Sequence, residues 1–256
     1  MKPVIKIKNL WKSYGTKTVL KGIDLDVYAG QVIGYIGPNG AGKSTTVKIL
    51  CGLLSSFEGE VWVNDVSVKE HPLQVKSKVG YVPELAEMYE VLTPMEFLEF
   101  VATLYQLPAE MALTRIERMM TAFGLEPHLN QRMDTFSKGM RQKVLIVAGL
   151  LHNPDILILD EPLSGLDANA VIVVKELIQK LAAEGKTIFY SSHMMDVVEK
   201  ISDRIVLIND GSIAADGTIE DLRQLQGNHS LEKIFAGLTT KGGVQDAAGD
   251  MVRAFQ

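Results

Sequence analysis

The stretch 37-GPNGAGKST-45 packs glycines, a lysine and two hydroxyls into one short loop, directly after the apolar run 31-QVIGYI-36. Such a loop is poor at filling a core. It is well made for letting backbone N–H groups converge on an anion, because glycine reaches conformations that aim successive amides into one concavity. Gly37, Gly42, Lys43 and Ser44 fit the spacing G-x-x-x-x-G-K-[ST]. In that pattern the amides and the following helix N-terminus cradle phosphates, the lysine reaches the β- and γ-phosphates, and the hydroxyl ligates Mg²⁺. The candidate nucleotide-binding set is therefore Gly37, Asn39, Gly40, Gly42, Lys43, Ser44 and Thr45.

A second cluster, 156-ILILDEP-162, joins an apolar strand to two adjacent acids. Asp160 falls at the carboxyl end of that strand, where open α/β sheets place their ligands, and is a candidate Mg²⁺ ligand with Ser44. Glu161 is a candidate catalytic base, placed to polarise a water for attack on a γ-phosphate. Two acids after a strand also suit a solvated turn; the phosphate loop upstream favours the chemical reading.

These groups need a sheet to hold them. Segments 4–10, 23–29 and 31–36 alternate or run apolar as strands do, and 43–54 has the apolar spacing of a helix. Short strands follow at 60–63 and 79–82. From residue 93 the period becomes helical. Thr93, Pro94 and Glu96 form a capping-box signature before a helix to 106, and further helices are expected at 109–123 and 138–151. Beyond them, 156–160, 187–192 and 204–208 read as strands alternating with helices at 169–184 and 194–201. That order predicts a mostly parallel sheet covered on both faces, with 86–152 as a helical insertion. The tail from 228 is less regular: 230–238 suits a short helix, and 241–250 is expected to be loose.

Composition narrows the possibilities. The 256 residues are 46% hydrophobic and 22% charged, with a net charge of −5, which gives no reason to expect a nucleic-acid partner. A single cysteine, Cys51, permits no internal disulfide and fits a reducing compartment. The longest apolar run, 144–151, is far short of the roughly 18 residues of a membrane span, so a membrane role would act through a partner. His71, His128, His152 and His229 show no metal-ligand spacing.

The ordered set of motifs resembles the ATP-binding subunits of ABC transporters over about residues 4–222. The Walker A motif matches 37-GPNGAGKS-44, Walker B 156-ILILDE-161, the signature 136-FSKGMRQ-142, the D-loop 164-SGLD-167 and the switch histidine His193. The resemblance implies a P-loop NTPase with an N-terminal antiparallel β-subdomain and an inserted α-helical subdomain, the ATPase domain spanning 1–227 and a short tail 228–256. It implies that two such domains face head to tail. ATP is then held by the Walker A loop of one and by Ser137 and Gly139 of the other. Tyr14 would stack on adenine, His193 would act with Glu161, and Asp167 would couple the two sites.

Two positions depart from the family pattern. Glu84 stands where a glutamine is usual, as a candidate nucleotide and Mg²⁺ contact. Lys138 interrupts the usual L-S-G-G-Q, either bringing charge to the γ-phosphate or capping a solvated helix face. The stretch 86–93 could line the groove where a membrane partner docks, or be an ordinary loop.

The resemblance further implies separate membrane-spanning permease subunits and a second copy or a paralogous ATPase subunit. It also implies a place on the cytoplasmic face of the membrane. The signature, Glu84 and 230-SLEKIFAGLT-239 look most like export systems of the ABC-2 type. Alternatives are a soluble ABC ATPase acting on ribosomes or nucleic acid, and a weakly hydrolysing nucleotide sensor.

Overall fold

The computed structural model describes residues 2–84, 88–225 and 229–239, together with Arg253. The expected loose segment 241–250 and the first residues of 86–93 lie outside the described residues. The chain builds two sheets. The first is antiparallel, in the order β2-β1-β4-β5, from β1 (Ile5–Tyr14), β2 (Lys17–Val27), β4 (Glu58–Val63) and β5 (Val66–Ser67). The second has the order β10-β9-β3-β8-β7-β6, from β3 (Val32–Ile36), β6 (Val79–Val82), β7 (Ile156–Asp160), β8 (Thr187–Ser191), β9 (Arg204–Asn209) and β10 (Ser212–Gly217). Its strands pair in parallel except at the β9–β10 hairpin edge.

Helices lie on both sides. They are α1 (Lys43–Leu50), α2 (Pro72–Lys78), α3 (Pro94–Leu104), α4 (Ala109–Ala122), α5 (Lys138–Leu150), α6 (Ala168–Ala183), α7 (Met195–Ile201), α8 (Ile219–Leu225) and α9 (Leu231–Thr239). One core joins the inner faces of the two sheets with α1 and α2, around Tyr35, Phe189, Ile33 and Leu10. Tyr35 and Phe189 pack at 4.9 Å between ring centroids. The other core joins the opposite face of the parallel sheet to α3–α9. The strands β3, β7 and β8 are buried along their whole length, as expected of strands covered on both faces.

The expected helical insertion is present as α3, α4 and α5 between β6 and β7. Its capping box forms as the residue pattern requires: Glu96 N–H donates to Thr93 Oγ1 at 3.2 Å, and Thr93 N–H donates to Glu96 Oε2 at 2.8 Å. Buried Ala112, Ile116 and Met120 turn one stripe of α4 to the core. Other elements differ from expectation. The first strand runs on to Tyr14 because Asn9, at φ +46°, forms a bulge that restores pairing after the alternation breaks. The first helix stops at Leu50 rather than Leu54, where Gly52 turns left-handed at φ +67°. The sequence reading did not anticipate the hairpin strands at 17–22 and 212–217, or helices α2 and α8. These short pieces bury few side chains of their own and owe their form to the neighbours they pair with.

No helix among the described residues is long and apolar enough to cross a membrane. Thr93→Ala removes one side of the capping box, and the expected cost is about 1 kcal/mol of stability. A lowered urea midpoint with an unchanged slope would show it; an unchanged midpoint would mean the box is dispensable.

Candidate functional site

Parallel register assembles the site. Tyr35 of β3 and Asp160 of β7 both pair with Ser191 of β8, so these strand ends stand level at the carboxyl edge of the sheet. The phosphate-loop candidate leaves β3 at this edge, the acids leave β7, and His193 follows β8. Together they border a cavity of about 490 Å³. It is lined by Asn39, Gly40, Gly42, Lys43, Ser44 and Thr45 from the loop and α1, by Glu84 after β6, by Asp160, Glu161 and His193, and by Lys17 and Val19 from β2.

The loop is shaped by its surroundings. A Cβ on Gly37 would come within 2.3 Å of the Ile208 carbonyl of β9. Gly42, at φ +113°, sits against Leu20, where a Cβ would come within 2.5 Å. No side chain caps α1, so its N-terminal amides face the cavity end of the helix. Lys43 is buried and donates to the carbonyls of Gly37 (2.7 Å) and Pro38 (3.3 Å). Burial pulls its ammonium below the ordinary lysine value, while Glu161, Asp160 and Glu84 act in the opposite sense.

The acids are held differently from each other. Asp160 is buried and accepts a short hydrogen bond from the Ser191 hydroxyl. Glu161 takes a left-handed backbone, φ +49°, and its N–H donates to the Ser191 carbonyl at 3.1 Å. Non-glycine residues held in that region are strained, and such strain clusters at functional sites. Its carboxylate lies 2.7 Å from His193 Nδ1 and also accepts from the His193 N–H at 3.3 Å. The histidine side chain is 69% exposed and the glutamate 10%. Burial raises the Glu161 carboxyl above its ordinary value, with His193 and Lys43 pulling it back.

Other candidates lie outside this cavity lining. Tyr14 is half exposed at the end of β1, with the Lys12 ammonium 4.9 Å from its ring centre. Ser137 caps α5, accepting from Met140 N–H at 3.2 Å, with Gly139 in the first turn. Asp167 caps α6 through Ala170 N–H at 2.9 Å and pairs with Lys143 at 3.1 Å. These hydrogen bonds hold the Asp167 carboxyl below its usual value. Lys138 donates to Ser164 Oγ at 2.9 Å. Sequence reasoning missed Lys17 and Val19 in the lining, and Ser191 beneath it. The alternation in 17-KTVL-20 after the Gly15 turn was the available signal for the first two; a serine inside a buried strand carries none.

Comparison with known proteins agrees with this geometry. Residues 20–164 match the family model described as ABC transporter. The linearmycin resistance ATP-binding protein LnrL of Bacillus subtilis is 34% identical over 244 residues, covering 95% of this chain and 77% of that protein. A solved ATP-binding subunit of an ABC transporter superposes with a TM-score of 0.87 at 33% identity, covering 93% of this chain and all (100%) of its own. The dimeric ATP-binding cassette MJ0796, in a post-hydrolysis state bound to ADP and Pi, gives a TM-score of 0.78 at 27% identity over 84% of this chain and 98% of its own. With a P-loop site at the carboxyl edge of the sheet and relatives aligned across nearly its whole length, the chain belongs to the ABC transporter family, as an ATP-binding subunit with ATPase activity.

Proposed function

We propose that this chain powers export of a substrate through separate membrane-spanning subunits, working as a head-to-tail pair on the cytoplasmic face of the membrane. The observation that carries the catalytic half is the placement of Glu161 and His193 at 2.7 Å beside the loop that holds Lys43. Export is supported by the similarity to a resistance protein's ATP-binding subunit and by α9, formed from the tail segment that looks like those of export systems.

In this reading the backbone N–H groups of Gly37 and residues 39–45 and the Lys43 ammonium bind the triphosphate, and Tyr14 meets the adenine. Three carboxylates, Glu84, Asp160 and Glu161, face two lysines, Lys17 and Lys43, across the cavity. Adding a triphosphate makes that balance strongly negative, which only a cation corrects. Among the described residues no cluster of His, Cys, Asp and Glu holds a metal unaided. The hard oxygen donors of Ser44, Asp160 and Glu84 border one cavity and fit Mg²⁺ that phosphate oxygens help to bind, as Mg²⁺ prefers. Bound there, the ion would neutralise developing phosphate charge. Glu161 accepts the proton of the attacking water, and His193 holds the carboxylate in place. Ser137 and Gly139 of a second copy close over the γ-phosphate, and Asp167 lies at the junction of the two copies.

Glu161→Gln keeps the shape of the side chain and removes its basicity. Turnover is expected to fall by at least about a hundredfold, with ATP holding the variant as a dimer on size exclusion. Turnover at the normal rate would exclude Glu161 as the base. The raised Glu161 carboxyl also predicts a pH signature. Between its ordinary value of 4.5 and the raised one, the folded chain keeps a proton that the unfolded chain releases. Its contribution to stability is thus complete below 4.5 and is lost as the pH rises through the raised value. Glu161→Gln should melt above the wild type at pH 8, and the gap should close below the ordinary glutamate range; a constant gap would refute the burial cost. For the partner, co-purification from detergent-solubilised membranes should recover a polytopic membrane protein, whereas recovery with ribosomes alone would overturn the transport reading.

A further inference from the structure

The signature stretch carries Lys138 where the pattern L-S-G-G-Q has glycine, and the fold gives that lysine a specific contact. Lys138 Nζ donates to Ser164 Oγ at 2.9 Å. Its stem lies across Gly165, where a Cβ would come within 2.9 Å of the lysine Cδ. A Cβ on Gly139 would meet the Gly165 carbonyl at 2.5 Å, so the helix and the loop touch backbone to backbone. One turn along α5, Gln142 Nε2 donates to the Pro162 carbonyl at 3.3 Å, and Lys143 pairs with Asp167 at 3.1 Å with its side chain only 15% exposed. The start of α5 therefore grips the 161–167 loop at Pro162, Ser164, Gly165 and Asp167.

That loop has little slack. Ser164 N–H bonds the Glu161 carbonyl at 3.0 Å, and Leu166 N–H bonds the Leu163 carbonyl at 3.2 Å, making successive tight turns. Its first residue is Glu161, already held in a left-handed conformation. A cation in the first turn of a helix is opposed by the helix dipole, so Lys138 is poorly placed unless its contact offsets that cost. Glycine at this position could make no such bond.

We propose that Lys138 is a positioning residue for hydrolysis. Its bond to Ser164 ties the N-terminus of α5 to the loop that aims Glu161, so that engagement of Ser137 and Gly139 with a second copy's nucleotide sets the base in the chain's own cavity. This rests on the head-to-tail pairing proposed above. The competing role for the ammonium is direct contact with the γ-phosphate of the second copy.

A double-mutant cycle on steady-state ATP hydrolysis by the purified chain separates the two. Lys138→Met and Ser164→Ala should each lower kcat by about fivefold or more, the lower end of coupling between linked sites. KM should stay unchanged and the Hill coefficient should fall toward one. The double variant should be no slower than either single one, and Lys138→Arg, which keeps a donor, should restore most of the rate. Multiplicative losses overturn the proposal. So does a rise in KM for Lys138→Met with Ser164→Ala silent, which places the lysine on the nucleotide. A wild-type chain that binds ATP without turning it over would overturn the catalytic reading itself, a result distinct from turnover that the paired variants leave unchanged.

Discussion

The parallel register of β7 on β8 is the constraint on which the site depends. It sets Asp160 opposite Ser191, and the serine hydroxyl closes the pair with a short hydrogen bond. The same Ser191 is level with Tyr35 on β3, and its carbonyl receives the Glu161 N–H. One residue of slip would turn each of these side chains to the other face of the sheet. Slip is prevented because both faces are buried. Tyr35 and Phe189 fill one side, while Ile36, Leu157, Leu159 and Tyr190 fill the other. A serine in the middle of a three-strand edge thus does what no loop could: it fixes a carboxylate and a strained glutamate relative to one another.

On that frame, charge is balanced locally and unevenly. Lys43 is buried among acids that favour its charged form, against a desolvation that disfavours it. Glu161 experiences the converse, with burial dominating the attraction of His193. Asp160, one residue away, is tied by a neutral hydroxyl instead. Adjacent carboxylates are thereby given different surroundings, which is how one site separates the proposed roles of metal ligand and base. The exposed face of His193 leaves the Glu161 pair open to whatever closes over the cavity.

The chain holds its two sets of candidate groups apart. Lys43, Asp160, Glu161 and His193 share the cavity, whereas Ser137, Gly139 and Asp167 lie outside its lining. In the proposed head-to-tail pairing, the latter residues would meet the nucleotide of a second copy. The grip of α5 on the 161–167 loop is the physical link between the two sets within one chain.

Much of this was legible in the residues themselves. Loop spacing around Gly37–Lys43, an apolar strand ending in Asp160 and Glu161, and a capping box at Thr93 are local patterns whose physics acts within a few residues. They determined the P-loop core, the helical insertion and which groups stand at the carboxyl edge of the sheet. Only the tertiary structure decided which distant groups meet. Ser191 beneath Asp160, Lys17 and Val19 in the cavity, the bulge that extends β1, and the bond from Lys138 to Ser164 all depend on strand order, register and close backbone approach. Tyr14, which the resemblance assigns to the adenine, is held half exposed at the end of β1, where only the pairing of β1 with β2 could place it. Local sequence encodes what a segment prefers to be, whereas long-range pairing, settled by burying both faces of one sheet, selects its neighbours.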